Sequence, residues 1–423
     1  MKHVLVLLTT NFPDPGGDSA FLNNEINALA DAFDQVVVFS YLPPSEPILD
    51  LPPNVYYGGA LGTIKNVSSR TLLLSGGRAR KALRSSWLES TSAGRTQGPN
   101  RIRKLIRRGM RFAHAIDTRL EALGVTARDQ VTVYAFWATH AAIAVPFLAH
   151  ADRVVMRMHR FDLYEHQTPL LPLRASLFDA SDVVVPISTD GKNYLLEHYP
   201  QGILSPEKVR VSRLGTHDPG VYRERDDRLG WPKAGTLRVV SCSSVIPVKN
   251  VSAIVPAVEE LALLGPVEWT HLGGGELEGE LNSLAQSAME RQPNLTISLL
   301  GQVTHSDVLE HLGTEKPDVF INVSDSEGVP VSIMEALSFG IPVVATDVGG
   351  SGEIVAPHLG SGILVPKRPT PEILVSAIRE VVGKPEDFDP RATWESMSNA
   401  AVKAREIVGI LKGEESTPGT TTP

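Results

Sequence analysis

The sequence predicts an α/β chain of two successive Rossmann-like domains, and three observations predict it. Short apolar runs alternate with stretches of helical spacing along most of the chain. Several of the apolar runs empty into glycine-bearing or polar loops, among them Pro13–Gly17, Gly273–Gly275 and Ser324–Gly328. A connector dense in proline and glycine, Pro200–Thr236, separates the two halves. A chain of 423 residues suits two to three domains, and a hydrophobic content of 42% fills sizeable cores.

In the first half, Val4–Leu8 is short and apolar throughout, the mark of a buried parallel strand. The loop Asn11–Asp18 follows, carrying Gly16 and Gly17. A helix is predicted over about Ser19–Phe33, with Phe21, Leu22, Ile26, Leu29, Ala30 and Phe33 at helical spacing, and a strand over Gln35–Phe39. Strand, glycine loop, helix and strand open a Rossmann-like sheet, but the loop has no G-x-G-x-x-G fingerprint for a dinucleotide. Strands are also predicted at Val131–Tyr134, Arg153–Met158 and Asp182–Pro186, with helices over Thr139–Ala149 and Thr189–His198. The strand Arg153–Met158 empties into His159-Arg160-Phe161-Asp162-Leu163-Tyr164, a polar cluster where such a sheet keeps its site. A histidine there also fits a purely structural role.

Residues 65–119 differ in character. Arg78, Arg80, Lys81, Arg84, Arg101, Arg103, Lys104, Arg107, Arg108 and Arg111 crowd into them, and Glu89 is the only acid from Lys65 to Arg111. Ile102, Leu105, Ile106, Met110 and Phe112 interleave with these cations. That pattern is an amphipathic basic helix suited to an anionic membrane surface or a lipid diphosphate. The plain alternative is a solvated helix on the rim of the first domain. The net charge of −8 argues against nucleic-acid binding by bulk charge. Cys242 is the only cysteine, so there is no disulfide framework, which fits a reducing cytosol. No signal peptide or membrane-spanning run is expected.

The second half opens with a strand over Leu237–Ser243 and a helix over Val251–Leu264. Strands Val267–Leu272 and Leu295–Leu300 lead into Gly273-Gly274-Gly275 and Gly301-Gln302-Val303. After a short helix over Asp307–Leu312 comes the most informative stretch, Asp318–Val355. A strand, Val319–Val323, runs into the loop Ser324–Gly328, then a helix over about Pro330–Phe339, a strand over Val343–Ala345 and the turn Gly349-Gly350. Glu327 and Glu335 stand eight positions apart across the loop-to-helix junction. A strand, a glycine loop and a helix start make a natural anion site, and the two acids suit a polyol or sugar beside a phosphate. Helices over Glu372–Val382 and Arg391–Leu411 complete the chain.

This stretch resembles the retaining nucleotide-sugar glycosyltransferases of family 4, the group 1 glycosyltransferases. The likeness rests on Glu-x7-Glu, on Ser-Glu-Gly-x-Pro at its start, and on Gly-x-Pro-Val-Val-Ala-Thr-x-Val-Gly-Gly after it. The resemblance reaches to about Leu411 and is looser in the first half. It implies a GT-B fold: two Rossmann-like domains facing a cleft, with a C-terminal helix returning to the first domain. The expected boundaries are 1–203 for the acceptor-side domain, 204–388 for the nucleotide-sugar domain, 389–412 for the returning helix and 413–423 for a disordered tail.

The resemblance also implies roles. Glu335 would bind the ribose hydroxyls, and Glu327 the donor-sugar hydroxyls near the reaction centre. The backbone of Gly328, Val329, Pro330 and Val331 would lie on the sugar and phosphates, with Gly16 and Gly17 against the diphosphate. Gly274 would lie beside the nucleotide, and the strand end Gly301, Gln302 and Val303 against the base. His159 would sit near the sugar and the acceptor; Arg160, Asp162 and Tyr164, with Arg103 and Arg107, belong to the acceptor or membrane side. The family usually has Gly-Arg-Leu-x-x-x-Lys-Gly after the first strand of its second domain. Here Lys249 matches the lysine, while Ser243, Ser244 and Asn250 replace the first glycine, the arginine and the last glycine. The lost guanidinium removes a bidentate phosphate partner.

The expected activity is retaining transfer of a hexose from a UDP- or GDP-sugar to a glycan or lipid-linked acceptor, in polysaccharide or glycolipid synthesis. No metal and no other cofactor are expected, and Glu327, His159 and Lys249 are the candidate catalytic residues. The expected location is cytoplasmic, with peripheral contact to an anionic membrane through Arg101–Arg111. Two alternatives stay open: a catalytically silent nucleotide-binding or scaffold protein, and a GT-B nucleotide-sugar epimerase or phosphorylase-like enzyme.

Overall fold

The computed structural model describes residues 1–45, 48–64, 77, 80–82, 84–85, 99–164, 173–223, 231 and 235–414. Arg78 and Glu89, and the expected tail beyond Glu414, lie outside them. The chain divides into two compact units: Met1–Arg213 together with the chain from Lys403, and Leu214–Val402.

The first unit holds a parallel six-stranded sheet of order β3-β2-β1-β4-β5-β6. Its strands are β1 (His3–Thr9), β2 (Gln35–Ser40), β3 (Val55–Ala60), β4 (Gln130–Ala135), β5 (Arg153–Met158) and β6 (Val183–Pro186). Strand alternation divides β1 between two cores. Val4, Val6 and Leu8 join the core under the basic helix Pro99–Ala122. Leu5 and Leu7 join the opposite one, which Ile407, Ile410 and Leu411 of the last helix, Ala400–Lys412, complete. In the basic helix, Ile102, Ile106 and Met110 follow one another at four-residue spacing and are all buried. Arg101, Arg103, Lys104, Arg107 and Arg108 are exposed. Its apolar stripe is therefore already covered by the protein, and what faces solvent is charge.

The second unit repeats the plan, with a parallel sheet of order β12-β11-β10-β7-β8-β9. Its strands are β7 (Leu237–Cys242), β8 (Val267–Leu272), β9 (Leu295–Leu299), β10 (Val319–Asn322), β11 (Val343–Thr346) and β12 (Gly362–Val365). In each sheet the strand order reverses between the first and fourth strands in sequence, β1/β4 and β7/β10, and loops leaving the carboxyl ends there diverge and leave room for a ligand.

Several elements depart from the sequence reading. The expected helix Ser19–Phe33 is two helices, Ser19–Leu22 and Ile26–Ala32. His140–Phe147 is a 3-10 stretch in place of an α-helix, and Pro146 within it cannot donate the backbone hydrogen bond an α-helix requires. The long final helix is broken into Pro390–Met397 and Ala400–Lys412. The break has a cause: Thr216 N donates to Ser398 O (2.9 Å) and Ala400 N donates to Thr216 O (2.9 Å), so an extended residue, Asn399, is held between the helices. Val209–Val211 makes only one bridge, Val184 to Val209. Strands β3 and β12 and the helices Arg174–Ala180 and Glu278–Arg291 were not anticipated.

The first unit buries a charged network under its sheet. Arg157 on β5 is 0% exposed and is paired with Glu25, while its Nη1 also donates to the Tyr134 hydroxyl at 2.9 Å. The Tyr134 hydroxyl donates to Glu25 Oε2 at 3.2 Å, closing a three-membered ring. Removing Glu25 leaves the Arg157 charge uncompensated in a dry core. Glu25→Ala should therefore lower the unfolding free energy by roughly 3–5 kcal/mol, measured by urea denaturation. A loss below about 1 kcal/mol would show that water reaches Arg157.

Candidate functional site

The second unit gathers its polar groups where its strand order reverses. Strand β7 ends at Cys242 and hands over to Ser243–Asn250; β10 ends at Asn322 and hands over to Val323–Pro330. The two loops are joined by backbone, Asp325 N donating to Val248 O at 2.7 Å. They are also joined by charge. Lys249 Nζ lies 2.5 Å from Glu327 Oε1, and Asn322 Nδ2 reaches the same oxygen at 3.4 Å. Glu327 is only 6% exposed. A carboxylate that deep costs several kcal/mol unless it is matched by charge and hydrogen bonds, and Lys249 supplies the match.

Beyond Glu327 the backbone turns into the helix Val331–Ser338. Its cap, Pro330, offers no side-chain acceptor. Among the described residues, the N–H groups of Gly328, Val329, Val331, Ser332 and Ile333 make no hydrogen bond, the first regular one being Met334 N to Pro330 O. Unsatisfied donors at a helix start, beside a lysine, form an anion site. The turn at Gly349 packs against this loop so closely that a Cβ there would lie 1.9 Å from the Glu327 carbonyl oxygen, and its φ of +54° is itself left-handed. Gly350 N donates to Gly328 O at 2.6 Å. The Gly-Gly turn of the motif is thus a backbone brace for the Glu327 loop.

Glu335 projects from the same helix and is 5% exposed. Its Oε1 lies 2.6 Å from Nε2 of His305, at the start of the helix His305–Glu315. Glu335 raises the imidazole above its ordinary range through that hydrogen bond. Burial, and next the Glu335 charge, push the Cys242 thiol up to about 12, so the one cysteine is no ready nucleophile.

The glycine turns after β8 and β9 are stitched together, Gly273 N donating to Gly301 O at 2.9 Å, and Gly274 O accepts from Val245 N at 2.9 Å. Gln302 is exposed and Val303 half-buried. Ser244, at the position where the resembled family has arginine, is exposed. Beneath this loop runs a chain of hydrogen bonds no motif announced. Trp269 Nε1 donates to Ser241 Oγ (2.9 Å), Ser241 pairs with His271 Nδ1 (2.8 Å), and His271 Nε2 donates to Ser243 O (3.1 Å). The chain fits a neutral imidazole protonated on Nε2, and it fixes the start of the loop that carries Lys249.

In the first unit, the carboxyl ends of β1, β4 and β5 carry the remaining candidates. Gly16 and Gly17 are exposed, and Gly16 N donates to Asp14 Oδ1 at 3.0 Å, so that amide is already engaged. His159 is buried among Trp137, Phe136 and Phe21, with ring centroids 4.1, 4.8 and 6.0 Å away. Burial, and then the Arg157 charge, drive its imidazole well below the usual range, so it is neutral at pH 7. Neither ring nitrogen has a hydrogen-bond partner among the described residues. Asp162 is fully buried and accepts from Ala138 N and His159 N, both at 2.6 Å; burial raises its carboxyl to about 6. It fastens two strand ends and does not face solvent. Tyr164 is likewise buried and hydrogen-bonds Asp190, while Arg160 is half-buried. Arg103 and Arg107 stand on the exposed face of the basic helix.

Residues 226–400 match the family model described as "Glycosyl transferases group 1". The chain is similar there to that family. It is 26% identical over 314 residues to the amylovoran biosynthesis glycosyltransferase AmsK of Erwinia amylovora, covering 71% of this chain and 68% of that protein. Further relatives align over 44% to 50% of their own length. Among solved structures, the lipopolysaccharide outer core galactosyltransferase WaaB in its apo form superposes with a TM-score of 0.65 at 12% identity, covering 97% of this chain and all of that one. Anabaena HepE in complex with UDP and glucose does so with 0.63 at 16%, covering 96% and 99%. These likenesses show the GT-B fold. Among the described residues, no helix is long and apolar enough to cross a membrane.

The buried His271 gives the second unit a pH dependence. Its folded imidazole titrates near 4, against an ordinary 6.5, chiefly through burial. The unfolded chain therefore binds the extra proton between those values. Stability is complete above about pH 6.5 and declines as pH falls toward 4, by at most about 1.4 kcal/mol per pH unit. Thermal melting from pH 7.5 to 4.5 should show this slope, and His271→Gln should reduce it. An unchanged slope in the variant would mean other groups carry the acid sensitivity.

Proposed function

We propose that this protein is a retaining, metal-independent hexosyltransferase that uses a nucleotide-diphosphate sugar to build a bacterial-type polysaccharide or glycolipid. The observation that carries the reading is the pairing of Lys249 with Glu327 beside the open amides of Gly328–Ile333. A diphosphate presents negative oxygens and a hexose presents hydroxyls. This junction offers a cation and N–H donors for the first and a buried carboxylate for the second. Relatives point the same way: AmsK is named for amylovoran biosynthesis, and HepE was solved with UDP and glucose.

On this reading Lys249 and the helix-start amides stabilise the departing diphosphate, the part a metal plays elsewhere. Glu327 accepts donor-sugar hydroxyls, Glu335 accepts ribose hydroxyls, and Gly274, Gly301, Gln302 and Val303 border the nucleoside. Neutral His159 offers one donor and one acceptor nitrogen to a sugar hydroxyl. The acceptor oxygen attacks on the face the phosphate leaves, and the phosphate takes its proton. No protein carboxylate then serves as nucleophile, unlike the paired acids of retaining hydrolases. Ser244 favours the silent-partner alternative, since it lacks the guanidinium that the resembled family carries at that position.

The cationic face Arg101, Arg103, Lys104, Arg107 and Arg108 suits the inner surface of an anionic membrane. With Ile102, Ile106 and Met110 buried, attachment is by charge and not by insertion.

Two tests follow. Nucleoside-diphosphate release from UDP- and GDP-hexoses should fall roughly 10²-fold or more in Glu327→Gln and in Lys249→Ala, with melting curves confirming the fold. Full activity in both would remove these roles; calorimetry without UDP or GDP binding would favour a scaffold, and epimerised donor without acceptor an epimerase. Vesicles with anionic lipid should retain the protein at low salt and release it at about 0.5 M salt, where the screening length is only a few ångströms. Arg103→Glu with Arg107→Glu should abolish retention, and binding that resists salt would refute attachment by charge.

A further inference from the structure

Glu335 and His305 form an unequal pair. The carboxylate is almost wholly buried, whereas the His305 side chain is 62% exposed. An exposed imidazole adds only about 0–1 kcal/mol to such a pair, too little to explain a carboxylate kept out of water. The contact also uses one oxygen only. Oε1 lies 2.6 Å from Nε2, and Oε2 has no hydrogen-bond partner among the described residues.

The helix start that carries the imidazole is itself fixed. Thr304 N donates to Asp307 Oδ2 (2.9 Å) and Asp307 N donates to Thr304 Oγ1 (3.2 Å), a closed capping box around His305. Asp307 is occupied by the cap and does not compete for the ring. His305 follows directly on the turn Gly301–Val303 at the end of β9, while Glu335 comes from the helix after β10. Two separate elements therefore converge on one carboxylate and fix one of its oxygens.

We propose that His305 is a positioning residue for nucleotide recognition: it holds Oε1 of Glu335 so that Oε2 is presented to the ribose hydroxyls, and so sets a preference for ribonucleotides over deoxyribonucleotides. This rests on the assignment of Glu335 to the ribose made above. A carboxylate free to rotate would lose more rotamer freedom on binding and would select the diol less sharply.

The test is calorimetric titration of the full chain with UDP, GDP and their 2′-deoxy forms, in the wild type, His305→Ala and His305→Gln. The wild type should bind the preferred ribonucleotide roughly tenfold or more tightly than its deoxy form, the scale of one hydrogen bond to a charged group. His305→Ala should reduce that ratio to within about threefold, mainly by weakening the ribonucleotide. His305→Gln, which can place an amide N–H near the position of Nε2, should restore most of it. A residue with a merely structural role would weaken both sugars alike and leave the ratio intact. An unchanged ratio in His305→Ala overturns this inference while the glycosyltransferase reading stands. Nucleotide binding without ribose preference in the wild type removes the role of Glu335 and this inference with it. No binding of any of the four nucleotides removes the proposed function itself.

Discussion

The contact between Lys249 and Glu327 spans the one place in the second sheet where neighbouring loops leave in opposite directions. Strand order puts the cation on the loop after β7 and the acid on the loop after β10. Glu327 could not be buried there without the half-buried Lys249 beside it. Paired, they let the protein keep a carboxylate in a nearly dry position before any ligand arrives. Much of the surrounding backbone serves that position. Asp325 ties its loop to Val248, Gly349 and Gly350 brace it from below, and His271 anchors the start of the lysine loop through Ser243. Glu335 repeats the arrangement one helical stretch later, with His305 in the place of Lys249. Each acid has one oxygen held by a basic side chain, and the other has no hydrogen-bond partner among the described residues.

Much of this was legible in the sequence because the signals are local. Apolar runs such as Val4–Leu8 and Val319–Val323 mark strands, and the ordered string from Ser326 to Gly350 marks the junction that the structure then assembles around Lys249. What was not legible depends on distant partners. The helix Glu278–Arg291 buries only Leu281, Ala285 and Ala288, too few apolar positions to stand out from its polar surroundings. The final helix breaks at Asn399 because Thr216, far away in sequence, takes its neighbours' hydrogen bonds. Asp162 and Tyr164 sit in a polar cluster at a strand end, yet both turn inward. His271 and His305 are single histidines with no motif around them, and the helix expected from Asp307 begins instead at His305.

The basic helix shows how composition can mark a charged surface and leave its packing open. Cations interleaved with apolar residues fit a peptide that lies in a membrane interface, and equally a rim helix of a globular domain. Periodicity decides between them once a core exists to receive one face. Ile102, Ile106 and Met110 point into that core, which leaves a face of nearly pure positive charge. On the proposed reading, such a face would draw its affinity from counterion release and lipid headgroups, so its reach would be set by ionic strength and not by apolar area.

Ser244 makes the charge balance at the anion site unusual, and the imbalance bears on where binding energy arises. A nucleoside diphosphate carries at least two negative charges. Against them the Glu327 junction offers Lys249 and a helix start worth about half an elementary charge, the nearby Arg368 guanidinium being engaged by Asp325. Lys249 is moreover shared with Glu327 at 2.5 Å, so its charge is already partly compensated. A second cation of the guanidinium type would add a bidentate clamp that Ser244 cannot make. On the proposed reading, phosphate recognition in this chain is correspondingly weak, and the nucleoside end must contribute more of the affinity than a site with two cations would require. The half-satisfied Glu335, held from one side by His305, is the group built to do so, because hydrogen bonds to a buried carboxylate gain strength as solvent is excluded.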